Sequence, residues 1–157
     1  MSASIVPGVY FIQNLGSGTV LDLVYGSSQN GTKVEGHAKW ELGERWCPVQ
    51  LWIVAKDKDG STYVIQNASG GTYMDLKNGS SSKDTPVICY EHSGNSTQKW
   101  RIILNSHKTA YVIQNVGTGT YIDLLDGSNK DNTPVNGWTG EGASTTNTHQ
   151  LWKFIKA

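Results

Sequence analysis

Short segments with alternating apolar and polar positions recur along the chain, separated by clusters of Gly, Ser, Thr and Asn. In the segment 63–67, Tyr63 and Ile65 fall on one side of an extended chain and Val64 and Gln66 fall on the other, which is the period of a half-buried strand. The Gly-rich runs that follow such segments, for example residues 16–18, predict tight hairpin turns. The pattern therefore predicts an all-β protein.

Three sequence units recur in the same order, at intervals of roughly 50 residues, as in repeat proteins. The first unit is Tyr-x-Ile-Gln-Asn, the second is Gly-Thr-x-x-Asp-Leu and the third is Gln-x-Trp. They occupy residues 10–14, 18–23 and 50–52, then 63–67, 71–76 and 98–100, then 111–115, 119–124 and 150–152. The chain is therefore expected to contain three copies of one structural unit.

Each copy holds segments for about four strands, and three four-stranded copies predict a β-trefoil, since a propeller needs at least four blades. The prediction is one domain over residues 1–157, with repeats at approximately 7–56, 60–105 and 108–157. The Trp of each Gln-x-Trp unit is assigned to the shared core because of its large apolar area. Trp52, Trp100 and Trp152 are thus expected to be structural.

Composition and charge exclude several classes of partner. Thirteen Lys and Arg balance thirteen Asp and Glu, and no run of like charge appears, which argues against binding nucleic acid. No apolar stretch is long enough for insertion into a membrane.

The two cysteines and the N-terminus bear on where the protein is found. Cys47 and Cys89 are too few for a disulfide framework and are expected to be reduced. The N-terminus has no signal-peptide pattern, so a cytoplasmic location is expected.

The Gln-x-Trp triplets at threefold spacing resemble those of the ricin B-type, or R-type, lectins. The resemblance covers nearly the whole chain and implies a β-trefoil that binds galactose or N-acetylgalactosamine in shallow pockets, up to one per repeat. The third repeat is also similar to the lectin domain of a mushroom agglutinin that recognises terminal α-galactosyl sugars. The protease half of that agglutinin has no counterpart here, so no peptidase activity is expected.

A hexose site needs an acceptor for adjacent hydroxyls and an aromatic ring for the apolar sugar face. In the third repeat Asp123 is the candidate acceptor and Trp138 the candidate ring, with Gln150 supporting the carboxylate. Further polar contacts and close backbone approach are expected from Asn147, His149, Gly137 and Gly140. The alternative is that Asp123 only satisfies backbone amides in a turn.

The other two repeats keep part of this set. The middle repeat has Asp75, Tyr90, Asn95 and Gln98, which predicts a weaker or differently tuned site, with Cys89 at the position of Gly137.

The first repeat has Asp22, His37 and Gln50, and it carries an extra stretch before Cys47. Trp40 or Trp46 of that stretch could supply the ring that is missing at position 37.

Other chemistries find less support. The chain has no His-x-x-x-His or Cys-x-x-Cys, so no metal or other cofactor is expected. No nucleophile elbow occurs, and a glycosidase would need two carboxylates where each pocket supplies one from a recurring position. The sequence therefore predicts a non-enzymatic, multivalent lectin, and the resemblance implies an agglutinin with a defence role. If only the third repeat binds, a homodimer would have to supply the second site. The alternative left open is a β-trefoil protease inhibitor acting through residues 39–48.

Overall fold

The structure, a computed structural model, describes residues 2–157, which form twelve β-strands joined by turns and short 3-10 helices. The strands of the first repeat are β1 (Gly8–Asn14), β2 (Val20–Leu23), β3 (Thr32–His37) and β4 (Trp52–Lys56). The second repeat has β5 (Tyr63–Asn67), β6 (Tyr73–Leu76), β7 (Thr85–Tyr90) and β8 (Trp100–Leu104). The third has β9 (Tyr111–Asn115), β10 (Tyr121–Leu124), β11 (Thr133–Trp138) and β12 (Trp152–Lys156). None of the helices within residues 2–157 is long and apolar enough to cross a membrane.

Six of the strands close into a barrel. Following antiparallel pairings around the ring gives β1, β4, β5, β8, β9 and β12, and β12 pairs back with β1 from Tyr10↔Lys156 to Asn14↔Trp152. Closure of the ring leaves no unpaired sheet edge in the barrel. The first and last strands of the chain are thus held together directly.

The other six strands form three hairpins. They are β2–β3, β6–β7 and β10–β11, and β3, β7 and β11 also pair with one another. A six-stranded barrel with a triangle of three hairpins is a β-trefoil. The predicted fold, all-β with four strands in each of three repeats, is confirmed.

The Trp residues of the three Gln-x-Trp units lie at the centre of the core. Trp52, Trp100 and Trp152 are 0%, 0% and 1% exposed. Each Nε1–H donates to a backbone carbonyl of its own repeat, those of Leu21, Met74 and Ile122, at 3.0 Å. Burial of the ring together with a satisfied indole N–H confirms their structural assignment.

Side-chain hydrogen bonds of one Asn per repeat connect neighbouring repeats. Asn14, Asn67 and Asn115 end the strands β1, β5 and β9, and each Oδ1 accepts N–H groups of the following turn. Each Nδ2 donates at 2.8–3.0 Å to a carbonyl of the short helix that precedes the adjacent Gln-x-Trp strand. This Asn therefore couples a hairpin turn to the Gln-x-Trp element next to it.

The N-terminal segment is bound by a Tyr from each repeat. The hydroxyl groups of Tyr10, Tyr63 and Tyr111 donate to the carbonyls of Val6, Ile5 and Ser2, the first two at 2.6 and 2.7 Å. The side chain of Ile5 is buried in the main core cluster. Residues 2–6 thus contact the first strand of all three repeats.

Candidate functional site

A buried Gln–Asp pair recurs once in each repeat. The Gln Nε2 donates to the Asp Oδ2 at 3.0 Å in Gln50–Asp22, 3.0 Å in Gln98–Asp75 and 2.8 Å in Gln150–Asp123. The other Nε2 hydrogen is donated to a backbone carbonyl beyond the end of β3, β7 or β11, at 2.8–2.9 Å. Each Gln therefore fixes its Asp against the following loop, which is the supporting contact expected for Gln150.

Strand register places two further positions beside each Asp. Asp22, Asp75 and Asp123 lie directly opposite Glu35, Ile88 and Asn136. Two residues later on the same strands come His37, Tyr90 and Trp138. Because side chains two residues apart share a face of a strand, each repeat presents an Asp, a variable partner and an aromatic or imidazole ring together.

In the first repeat these side chains line a concave pocket of about 330 Å³. The lining residues are Asp22, Val24, Tyr25, Glu35, His37, Trp40, Trp46, Val49 and Asn132. The rings of His37 and Trp40 are stacked, with centroids 5.6 Å apart and an interplanar angle of 23°. Both Trp residues of the extra stretch therefore reach the pocket.

The carboxylate of Asp22 faces this pocket with one oxygen free. Asp22 is only 8% exposed, and its Oδ1 accepts no hydrogen bond from the part of the chain that the structure describes. Burial raises the pKa of Asp22 to about 6, opposed by the Gln50 hydrogen bond and by the nearby His37. Burial also raises the pKa of Glu35, opposed by Lys33 and His37. Asp22 and Glu35 thus line the same pocket, and burial there disfavours the ionised form of both carboxyl groups.

Tyr25 stands at the mouth of the pocket in an unusual backbone conformation. Its φ is +53°, in the left-handed region, and its side chain is 82% exposed. Asn78 and Asp126 take the corresponding left-handed conformations in the other repeats, and short polar side chains tolerate that region better than a bulky one. The ring of Tyr25 packs edge-on against Trp46, with centroids 6.4 Å apart. A strained aromatic residue held at a pocket points to a ligand-binding role.

The middle repeat has its own pocket, of about 390 Å³, whose lining includes Asp75, Tyr90 and Asn95. Both carboxylate oxygens of Asp75 are engaged, because Oδ1 accepts the Leu76 N–H at 2.8 Å and Oδ2 accepts from Gln98. Cys89 is fully buried in the core and does not line the pocket.

In the third repeat the expected residues divide into two groups. Asp123 is buried with its Oδ1 free of hydrogen bonds from residues 2–157, and burial raises its pKa. His149 lies near this carboxylate and packs against Gly127, where a Cβ would come within 2.5 Å of the imidazole. Trp138 has the Lys83 Nζ 5.7 Å from its ring centroid.

The second group surrounds a separate pocket of about 380 Å³, which Asp123 and Trp138 do not line. Its lining residues include Gly140, Asn147 and Gln150. The Asn147 Oδ1 accepts the His149 N–H at 3.0 Å, so this side chain also shapes the loop before Gln150.

The two Gly residues of the third repeat have packing roles that the sequence did not reveal. A Cβ on Gly137 would lie 3.1 Å from a methyl group of Leu76 in the core. A Cβ on Gly140 would lie 2.3 Å from the Gln150 Oε1. Both positions leave room for neighbouring protein side chains.

Sequence reasoning missed Glu35, Tyr25 and Asn132. The two-residue spacing from Glu35 to His37 was a usable signal, because it places both side chains on one face of β3. Asn132 reaches the first pocket from the third repeat, and Gly31 reaches the middle pocket from the first. Only the pairing of β3, β7 and β11 brings these turns to a neighbouring site.

Within residues 2–157 no group of three or more His, Cys, Asp or Glu residues is placed to hold a metal ion.

Asp131 contacts the end of β3 and the loop after it. The His37 Nε2 lies 3.4 Å from the Asp131 Oδ2, and the Ala38 N–H donates to Asp131 Oδ1 at 2.8 Å. Asp131 thus fixes the loop after β3 beside the first pocket.

Solved structures share this architecture. The Macrolepiota procera ricin B-like lectin, solved in complex with lactose, is 25% identical with a TM-score of 0.76, over 98% of this chain and 99% of that one. The Polyporus squamosus lectin, bound to Neu5Acα2-6Galβ1-4GlcNAc, is 28% identical with a TM-score of 0.80, over 98% of this chain and half of that one. The Rhizoctonia solani agglutinin is 23% identical with a TM-score of 0.82, over the whole of both chains. Sequence comparison with curated proteins gives no match.

The family comparison covers the three repeats in overlapping segments. A family model described as ricin-type β-trefoil lectin domain-like matches residues 3–90, 48–138 and 96–157. Together with lectin neighbours of the same fold, this match supports carbohydrate binding. The chain belongs to the ricin-type β-trefoil lectin domain-like family.

Proposed function

We propose that this protein is a lectin for glycans ending in galactose or N-acetylgalactosamine, including α-galactosyl ends. The observation that carries the proposal is the buried, Gln-supported Asp beside a ring position, found once per repeat. A carboxylate fixed in this way accepts hydrogen bonds from two adjacent hydroxyls without having to reorganise. The axial 4-hydroxyl of galactose leaves a continuous apolar patch that an aromatic ring can cover.

The ligands of two relatives support the sugar class. The Macrolepiota procera lectin was solved with lactose and the Polyporus squamosus lectin with a trisaccharide that contains galactose. Galactose is common to both ligands, so galactosides are the first probes for this chain.

The first and third repeats are proposed as the stronger sites. Asp22 and Asp123 each keep a free Oδ1, whereas both oxygens of Asp75 are already bonded within the protein. Two shallow sites on one chain would give an avidity above that of either site, and the protein would then agglutinate cells without forming a homodimer. In this proposal the protein is synthesised in the cytoplasm, is then released, and acts in defence against grazers.

The protease-inhibitor alternative is not favoured. The extra stretch at residues 39–48 is bound to the first pocket, since the Trp40 N–H donates to the Gln50 Oε1 at 2.8 Å. Cys47, near its end, is buried. A segment fixed in this way contributes lining to the pocket through Trp40 and Trp46.

Calorimetric titration with galactose, N-acetylgalactosamine and an α-linked digalactoside tests the proposal. The comparison uses wild type, Asp22→Asn, Asp123→Asn and the double variant, because Asn keeps the shape and can still accept from the supporting Gln. Each single variant is expected to remove one binding site, and the double variant both strong sites. Asp75→Asn serves as the control, since it should leave both strong sites in place. Absence of binding by folded wild-type protein to all three sugars would refute the proposal.

A further inference from the structure

The first-repeat pocket differs from the other two in charge. Asp22 and Glu35 are cross-strand partners that both line it, and no Lys or Arg of residues 2–157 is among its lining residues. The positions that correspond to Glu35 are Ile88 and Asn136, which carry no charge. A neutral sugar needs acceptors and donors together, whereas two carboxylates without a lining cation favour a ligand that brings a positive charge.

Basic side chains lie near this pocket, and Arg45 packs on its lining residue Trp46, but none of them is among the lining residues that the structure describes. The Lys39 Nζ lies 4.2 Å from the ring centroid of Phe11, and the Arg45 guanidinium carbon lies 5.1 Å from that of Trp46. Lys33 lowers the pKa of Glu35 through its charge but is not among the lining residues. Asp131 adds a further negative charge, which His37 faces at 3.4 Å. The pocket therefore keeps an excess of negative charge.

Aromatic side chains surround these carboxylates. Tyr25, Trp40 and Trp46 line the same pocket as Asp22 and Glu35. Aromatic faces attract cations, and the attraction strengthens when the cation is partly desolvated. The same faces cover the apolar side of a sugar ring. A ligand that combines a sugar ring with an ammonium group matches both parts of the lining.

We propose that the first-repeat pocket selects a sugar carrying a protonated amine, a 2-amino-2-deoxyhexose such as galactosamine, over its neutral N-acetylated form. The inference rests on the proposed carbohydrate-binding function and adds a charge preference to one of its sites. The Asp22 Oδ1, which accepts no hydrogen bond within residues 2–157, is available to the ligand. The carboxylate of Glu35 accepts from the ammonium group, and the rings hold the hexose.

The experiment that tests this inference uses a protein in which only the first pocket is left to bind, and it then removes the charge of Glu35. The background is the double variant Asp75→Asn/Asp123→Asn, and the added change is Glu35→Gln, which keeps the shape and removes the charge. Galactosamine, N-acetylgalactosamine and galactose are titrated near neutral pH at low and high salt. Galactosamine is expected to bind about tenfold more tightly than N-acetylgalactosamine, the gain of one charged over one neutral hydrogen bond. The preference should shrink with salt and disappear in Glu35→Gln, in which the ratio of the two affinities should fall to about one.

The outcomes separate the two proposals. Equal affinity for the charged and neutral sugars, or a preference that survives Glu35→Gln, would overturn the charge preference and leave the lectin function standing. Failure of all three sugars to bind the isolated first pocket, with binding retained by wild type, would also overturn it and assign binding to the other repeats. Failure of wild type to bind any of them would overturn the proposed function itself.

Discussion

The substitution Asp22→Asn should stabilise the folded protein at neutral pH. Asp22 is 8% exposed, and within residues 2–157 its one hydrogen bond from a side chain is that from Gln50 to Oδ2. Asn can accept that bond with its own oxygen and turn its amide towards Glu35. Asp22→Asn therefore keeps the shape of the side chain and its hydrogen bond from Gln50, and it removes the buried charge.

The magnitude follows from the pKa of Asp22, which burial raises from 3.8 to about 6. A raised pKa of an acid means that its ionised form is disfavoured in the folded state. The stability cost is therefore complete above about pH 6 and declines as the pH falls towards 3.8. For Asp22 the cost is about 3 kcal/mol at pH 7.5 and about 1 kcal/mol at pH 4.5.

Denaturant unfolding of wild type and Asp22→Asn at pH 7.5 and pH 4.5 measures this difference. The gain at pH 7.5 should approach 3 kcal/mol, or a rise in Tm of roughly 6–12 °C for a domain of this size. About one third of the gain should remain at pH 4.5. The same variant should lose sugar binding at the first pocket, so stability would increase at the expense of function.

Asp75→Asn is the matched control, because it makes the same chemical change at the equivalent position of the middle repeat. There both carboxylate oxygens accept hydrogen bonds, from Gln98 and from the Leu76 N–H, and Asn can accept only one. This variant should lose about 1–3 kcal/mol at both pH values. The reasoning would be refuted if Asp22→Asn destabilised the protein at pH 7.5, or if its gain were the same at both pH values.

Two further substitutions and one labelling experiment probe backbone strain, the N-terminal segment and the thiols. Tyr25→Asn should raise the free energy of unfolding by about 1 kcal/mol, because Asn tolerates positive φ better, and should weaken ligand binding at the first pocket in calorimetry. Tyr63→Phe should lower the free energy of unfolding by about 1–3 kcal/mol in urea, because the buried Ile5 carbonyl loses its donor. Cys47 and Cys89 are buried free thiols whose pKa values burial raises, so a thiol reagent should label them only after denaturant unfolds the protein.

The fold could be predicted because its determinants repeat in the sequence. Each Gln-x-Trp unit contributes a Trp to the core and a Gln to a site, and both roles depend on contacts within the repeat. The order of the units and the number of copies then leave few architectures in which three equal units bury one core. The three repeats can be recognised in the sequence because a substitution at a buried position disturbs a closely packed core.

The chemistry of each site was less predictable, because it depends on side chains brought together by pairing between repeats. Glu35 occupies a position that holds Ile88 and Asn136 in the other copies, so no repeat pattern marks it. Asn132 reaches the first pocket across a strand pairing that the sequence does not encode locally. The third repeat, with the most complete set of expected residues, divides them between Asp123 and a separate pocket.

In this β-trefoil, some equivalent positions carry the same side chain in all three repeats, and others carry different ones. The Trp and Gln side chains face the interior, where a change in one copy would leave a cavity or an unpaired buried group. The residue opposite each Asp and the ring two positions later differ in every repeat: Glu35 with His37, Ile88 with Tyr90, Asn136 with Trp138. Because these positions do not support the barrel, each copy can take a different charge and ring at little cost in stability. One chain can therefore present sites of different selectivity on a single rigid core, and binding to a glycan surface would then depend on which sugars that surface combines.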